Sequence, residues 1–219
     1  MNQVVPPGFL FRWSFAAVHL AELPHQSGRL LNLPAKCRLP SFSELDSKRD
    51  FADVRVAWNA NGIGVSVDVR SRSRTPSCHA NAIRDSEGLN LWIDTRNTPG
   101  VHRATRFCHQ FCLLPSGGGS RNRDPVAIQV PMARAREESN PIDVSLVSIQ
   151  ADVQHDGYWL DTWLPKEAFV GFDPSSSAKL GFHYIVRDLE HGVQTLAVGT
   201  EFPVEVDPSL WQTLELVEV

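Results

Sequence analysis

Between residues 51 and 70 the chain alternates apolar and polar side chains with a period of two, and no other feature constrains the fold as strongly. Ala52, Val54, Val56 and Trp58 alternate with Asp53, Arg55, Ala57 and Asn59. After Asn59-Ala60-Asn61-Gly62 the pattern resumes with Ile63, Val65, Val67 and Val69 on one side. Successive strand side chains point to opposite faces of a sheet, so this spacing predicts a β-hairpin with one buried face. The turn supplies Asn and Gly, the residues that tolerate positive φ.

Further short strands are expected at 89–94, 107–114, 127–130, 144–153, 158–164, 180–187, 195–198 and 214–217, each bounded by Gly, Pro, Asn, Asp or Ser. Parallel sheets need crossover helices, and the only helical turn expected is 165–169, which opens with proline. The reading is therefore all-β: two antiparallel sheets packed face to face in a jelly-roll-like β-sandwich with little helix, less than about a tenth of the chain. A length of 219 residues fits one such domain, and no linker divides it. The segments 71–86 and 114–124, the latter with Gly117-Gly118-Gly119, read as long surface loops.

Composition narrows the partners. Twenty-one Lys and Arg against 25 Asp and Glu give a formal charge of −4, with the basic residues scattered, which disfavours nucleic acid. No apolar run reaches the roughly 20 residues that span a bilayer, so no membrane partner is expected. The segment from Met1 to Trp13 has two prolines and no basic start before its short apolar stretch, unlike a secretory signal, and the expected location is cytoplasmic. Cys37, Cys78, Cys108 and Cys112 are too sparse for a disulfide framework and are expected as free thiols.

From Leu89-Asn90-Leu91-Trp92-Ile93-Asp94 onward the sequence resembles the family 9 carbohydrate-binding modules. The similarity continues through Asp156-Gly157-Tyr158-Trp159-Leu160, Leu164-Pro165, Leu180-Gly181-Phe182, Arg187-Asp188, Asp207-Pro208-Ser209-Leu210-Trp211 and Leu214-Glu215-Leu216, and covers about residues 28 to 217. The resemblance implies a jelly-roll-like sandwich, structural calcium and a sugar site. The chain departs from that pattern where sugar-binding members clamp a saccharide between two tryptophans. No aromatic residue lies between Pro76 and Leu91 or between Phe202 and Trp211, Asn90 stands at the family's strand glutamate, and Ile185 stands near its polar partner. The fold carries over, whereas the tryptophan clamp does not.

Five residues are candidate ligand-binding groups: Asn90, Trp92, Arg103, Arg106 and His109. Alternation sets Trp92 on one face with Asn90 and Asp94, where an aromatic ring beside an amide and a carboxylate would make a sugar platform. Packing beneath a loop is the commoner fate of such a ring. Arg103, Arg106 and Arg187 carry planar forks suited to hydroxyls or carboxylates, or else pair with Asp85, Glu87, Asp94 or Asp188. Arg106 is preferred among them because the resemblance implies a sugar-binding arginine on the strand after the 89–94 motif. The run from His102 to Cys112 invites a metal reading, but Cys108 and Cys112 would sit about 13 Å apart on one strand face with His109 on the other, so no metal site is assigned.

No nucleophile elbow, phosphate loop or nucleotide fingerprint is present, and no carboxylate pair stands out. The chain is read as a non-catalytic module that binds carbohydrate through an altered site. The alternative is a structural or protein-contact sandwich that has lost sugar binding, and a metal-dependent enzyme built on the Cys and His cluster comes third. Convergence of Asn90, Trp92, Arg106 and His109 in an open concavity would favour binding.

Overall fold

A computed structural model describes residues 7–42 and 49–218, so the first residues of the 1–13 segment lie outside the described part. A short α1 (Pro7–Leu10) precedes eleven strands among the described residues: β1 (Ser14–His19), β2 (Ala52–Asn59), β3 (Gly62–Arg70), β4 (Gly88–Asp94), β5 (Cys108–Gly118), β6 (Asp124–Val130), β7 (Ser148–Gln154), β8 (Gly157–Pro165), β9 (Lys179–Asp188), β10 (Gly192–Thr195) and β11 (Gln212–Val217). Strand makes up 42% and helix 8%, in line with the all-β expectation.

The strands follow the order β6-β5-β4-β9-β11-β1-β2-β3-β8-β7, with β10 added to β9. One layer holds β6, β5, β4, β9 and β11; the other holds β2, β3, β8 and β7. Pairing within each layer is antiparallel, from Ala52 opposite Val69 to Asn59 opposite Gly62 in β2–β3, for example. The seam is β1, which pairs parallel with both β11 and β2. Period-two reading passed over β1 because its inward positions alternate weakly, Phe15 and Ala17 against Ala16 and Val18.

Between the layers lies the main core, with Val54, Val56, Val65, Val67, Leu91, Phe111, Leu160 and Phe182. The predicted hairpin buries more than the one face expected of it. Near its turn the second face is covered too, where Ala57 packs with Leu31, Leu33, Cys37 and Trp163. Asn59 closes that end by donating to the Leu23 carbonyl at 2.7 Å and accepting from the Asn61 amide at 2.8 Å. Gly62 is the turn residue that must be glycine: at φ +158 a Cβ there would lie 2.3 Å from the Leu164 carbonyl oxygen.

Two expected strands are shorter than their apolar runs. Residues 144–153 divide into a 3₁₀ turn, Val144–Leu146, and β7, because the Asp143 carboxylate caps the turn through the Ser145 amide at 2.9 Å. Likewise β10 ends at Thr195, and Leu196, Ala197 and Val198 leave it to fill buried positions on both sides of the sheet.

A candidate ligand-binding surface

Strand β4 sorts its side chains as its alternation requires. Leu89, Leu91 and Ile93 enter the core, while Asn90, Trp92 and Asp94 occupy the outer face. Yet Trp92 is 0% exposed and offers no platform: Ile185, Trp211, Val204, Ala104 and Met132 enclose it. The exposed-platform reading is thus corrected. His109 lies opposite Ile93 and faces the core, 5.9 Å from the Phe169 ring and 6.4 Å from that of Phe111. Burial holds its pKa down at about 4, against a weaker opposing backbone contact at Val170. Trp92 and His109 therefore stand on opposite sides of one sheet, and the four marker residues do not converge.

Asn90 is half-buried, and its Oδ1 accepts a hydrogen bond from the Cys112 thiol at 2.8 Å. Nearby, Arg187 is bound to Glu205 at 2.9 Å. Burial first, and Glu205 second, push the Cys112 thiol up to about 12. Cys108 is raised to about 11, chiefly by burial, and Cys37 and Cys78 are raised for the same main reason. All four cysteines are free and buried. They should resist iodoacetamide in the native protein at about pH 8, where little of a raised thiol is thiolate, and react once the chain is unfolded. Two or more adducts on native protein, read by mass spectrometry, would contradict this placement.

Arg103 and Arg106 are exposed, and neither meets the carboxylates expected of it. Arg103 donates to the carbonyls of Arg134 at 3.0 Å and Ala135 at 3.2 Å. Arg106 lies over the Phe107 ring at 5.1 Å, and Arg96 lies over the same ring at 4.6 Å. That ring rests on Gly171, where an added Cβ would come within 2.9 Å of it. The expected partners Glu87 and Asp188 are taken by Arg72. Asp94 accepts the amides of Arg96 at 2.9 Å and Thr98 at 3.1 Å, with its pKa raised mainly by burial. Arg96, Arg106, Thr98, Thr105 and Glu137 line an open concavity of about 780 Å³.

A second concavity, of about 530 Å³, was not anticipated. It is lined by Phe9, Phe11, Phe202, His102, Asp207 and Ser209, among others. Phe9 stacks on Phe202 at 4.4 Å with 10° between the planes, and Phe11 leans on Trp13 at 5.6 Å. Backed in this way, Phe9 and Phe11 remain 42% and 59% exposed. The polar wall comes from the 207–210 turn: Asp207 accepts the Ser209 amide at 3.0 Å and its hydroxyl at 2.6 Å. His102 Nδ1 sits 3.1 Å from Asp207 Oδ2 and 3.0 Å from Ser209 Oγ.

Serine, histidine and aspartate together resemble a nucleophilic triad, but the geometry is wrong for one. A relay needs the carboxylate on one ring nitrogen and the hydroxyl on the other. Here both meet Nδ1, and the serine proton goes to Asp207. The arrangement suits binding: flat rings beside a carboxylate, a hydroxyl and an imidazole. Sequence signals for it existed in Phe202, the nearest aromatic ahead of Asp207, and in the apolar 9–11 run.

Among the described residues no three His, Cys, Asp or Glu side chains gather as a metal ion requires. Glu87, Asp188 and Glu190 lie around the Arg72 guanidinium. They are matched to an internal cation, so the calcium implied by the resemblance finds no donor set there.

No protein-family model matches the sequence, and no curated protein matches it. Solved structures do match. One is a family 9 carbohydrate-binding module from Caldicellulosiruptor kristjanssonii in complex with cellotriose, with a TM-score of 0.64 and 11% identity over 94% of this chain and 95% of that one. Another is a family 9 module from the same organism in complex with glucose, with a TM-score of 0.62 and 10% identity over 94% and 97%. The chain has the fold of the family 9 carbohydrate-binding modules.

Proposed function

We propose that this protein is a non-catalytic carbohydrate-binding module whose ligand seat is the Phe9–Phe11 groove in place of a tryptophan clamp. The observation that carries the reading is the pair of exposed, ring-backed aromatics, Phe9 and Phe11, in one open groove with Asp207, Ser209 and His102. Sugars present apolar C–H faces to aromatic rings and hydroxyls to polar side chains, and this groove offers both. Structures of the same fold in complex with cellotriose and with glucose support the ligand class.

Calorimetric titration of cello-oligosaccharides tests the reading. Each ring contact contributes roughly 0.5–1.5 kcal/mol, so replacing both Phe9 and Phe11 by Ala should weaken binding by about 5- to 150-fold. Both side chains are exposed, so the variant keeps its core. Cello-oligosaccharide binding that the double variant leaves unchanged would reject this seat.

The second reading, a sandwich used for protein contact, draws on one fact: Phe9, Leu10 and Phe11 form a continuous exposed apolar strip. Under it, the wild type shows no heat with any oligosaccharide, and the same double substitution removes a protein contact.

A further inference from the structure

Beside that groove, two loops carry five arginines that form no ion pair among the described residues. Arg96, Arg103 and Arg106 lie on the β4–β5 connection, and Arg134 and Arg136 lie on the β6–β7 connection; all five are exposed. The loops are fastened to each other. Ala104 accepts the amides of Arg136 at 2.7 Å and Glu137 at 3.3 Å, and the Arg103 guanidinium holds the Arg134 and Ala135 carbonyls. Six other arginines, 29, 38, 55, 70, 72 and 187, form the arginine ion pairs found among the described residues. None of these five does. Glu137 lines the concavity with Arg96 and Arg106, Glu138 is exposed next to it, and Asp94 is buried beneath with its oxygens on backbone amides.

In a chain with a formal charge of −4, such a local excess of unpaired guanidinium is a recognition feature. We infer that the Arg96–Phe107–Arg106 concavity binds the carboxylate groups of acidic saccharides, so that the module takes a uronic-acid-containing glycan. This inference rests on the carbohydrate-binding reading and names its substrate class. The planar fork of arginine matches a carboxylate with two parallel hydrogen bonds. Phe107 holds two such forks 4.6 Å and 5.1 Å from its centroid, which restricts their rotamers before the ligand arrives. Thr98 and Thr105 on the same wall can donate to or accept from ring hydroxyls. The surface is a short lip and not a long basic track, and its aromatic ring, Phe107, is half-buried and covered by guanidinium, which disfavours a nucleic acid strand.

The test titrates the full chain with trigalacturonic acid, with its neutral methyl ester and with tripolyphosphate, each at low and high salt. The acid should bind about tenfold tighter than the ester, and the Arg96→Gln/Arg106→Gln variant should lose that difference, binding acid and ester alike. Acid binding should weaken in about 0.3 M salt, as exposed charge contacts do. Equal binding of acid and ester, an unaffected variant, or tripolyphosphate binding as tight as the acid would each overturn the inference. Failure of the carbohydrate reading itself appears separately, as absence of wild-type binding to neutral cello-oligosaccharides.

Discussion

Replacing Arg72 with Ala should destabilise the protein by about 3–5 kcal/mol, the usual consequence of removing one partner from a buried ion pair. The guanidinium is 0% exposed and lies 2.9 Å from Glu87, in contact with Asp188, and 3.7 Å from Glu190. Without it, two fully buried carboxylates face each other with no cation between them. Those carboxylates also organise backbone: Glu87 accepts the amides of Leu189 and Ser77, and Asp188 accepts those of Glu190 and His191. The cluster therefore ties the 71–87 connection to the β9–β10 turn, and losing it loosens both. For a chain of this size the loss corresponds to a fall in melting temperature of about 6–20 °C. Urea denaturation of wild type and variant measures the difference directly, and a loss below about 1 kcal/mol would show that water reaches the site and that the cluster is not the buried tie described here.

Arg72 also marks the limit of what could be read from sequence. The segment 71–86 looks polar, and its residues were expected on the surface; most are, but Arg72 is drawn inside by Asp188, 116 positions away. No local pattern records such a pairing. Where the information was local, it sufficed: β4 alternates Leu89, Leu91 and Ile93 against Asn90, Trp92 and Asp94, and the faces were assigned as found. Whether the outer face is open was not local information. Trp92 is covered by Ala104, Met132, Val204 and Trp211, contributed by three separate connections, so of the two fates open to that face, a platform or a ring packed beneath loops, the second is found. Arg103 and Arg106, in contrast, are exposed as a binding role requires, and Arg106 does line a concavity. Phe9 and Phe11 form an apolar strip whose sequence carries no sign of the Phe202 and Trp13 rings that back it.

Acid should destabilise the fold earlier than carboxylate titration alone would. His109 and His183 are both 0% exposed. Burial lowers their pKa values to about 4 and about 3 respectively, and the ring nitrogens of His183 have no hydrogen-bond partner among the described residues. Above the ordinary value near 6.5 both states of the protein hold these rings neutral, and stability is at its full level. As pH falls below that value the unfolded chain takes up two protons that the folded chain refuses, until pH approaches the depressed values. Two such groups give a slope of roughly 3 kcal/mol per pH unit and a loss of several kcal/mol by about pH 4.5. That is a large share of the roughly 5–15 kcal/mol by which domains are stable. Asp94, whose pKa burial raises, acts in the opposite direction and returns part of the loss at the acid end. Asp53 and Glu190, lowered mainly by hydrogen bonds to Arg55 and Ser73, add to the loss only once pH enters the carboxylate range. Urea midpoints measured from about pH 7.5 to pH 4.5 should therefore begin to fall near pH 6.5. His183→Leu, placed among Trp92 and its apolar neighbours, should remove about half of that slope whatever it does to stability at neutral pH. A stability profile flat down to about pH 5 would mean that the histidines gain partners or water in solution, and the buried, neutral state assigned to them would be wrong.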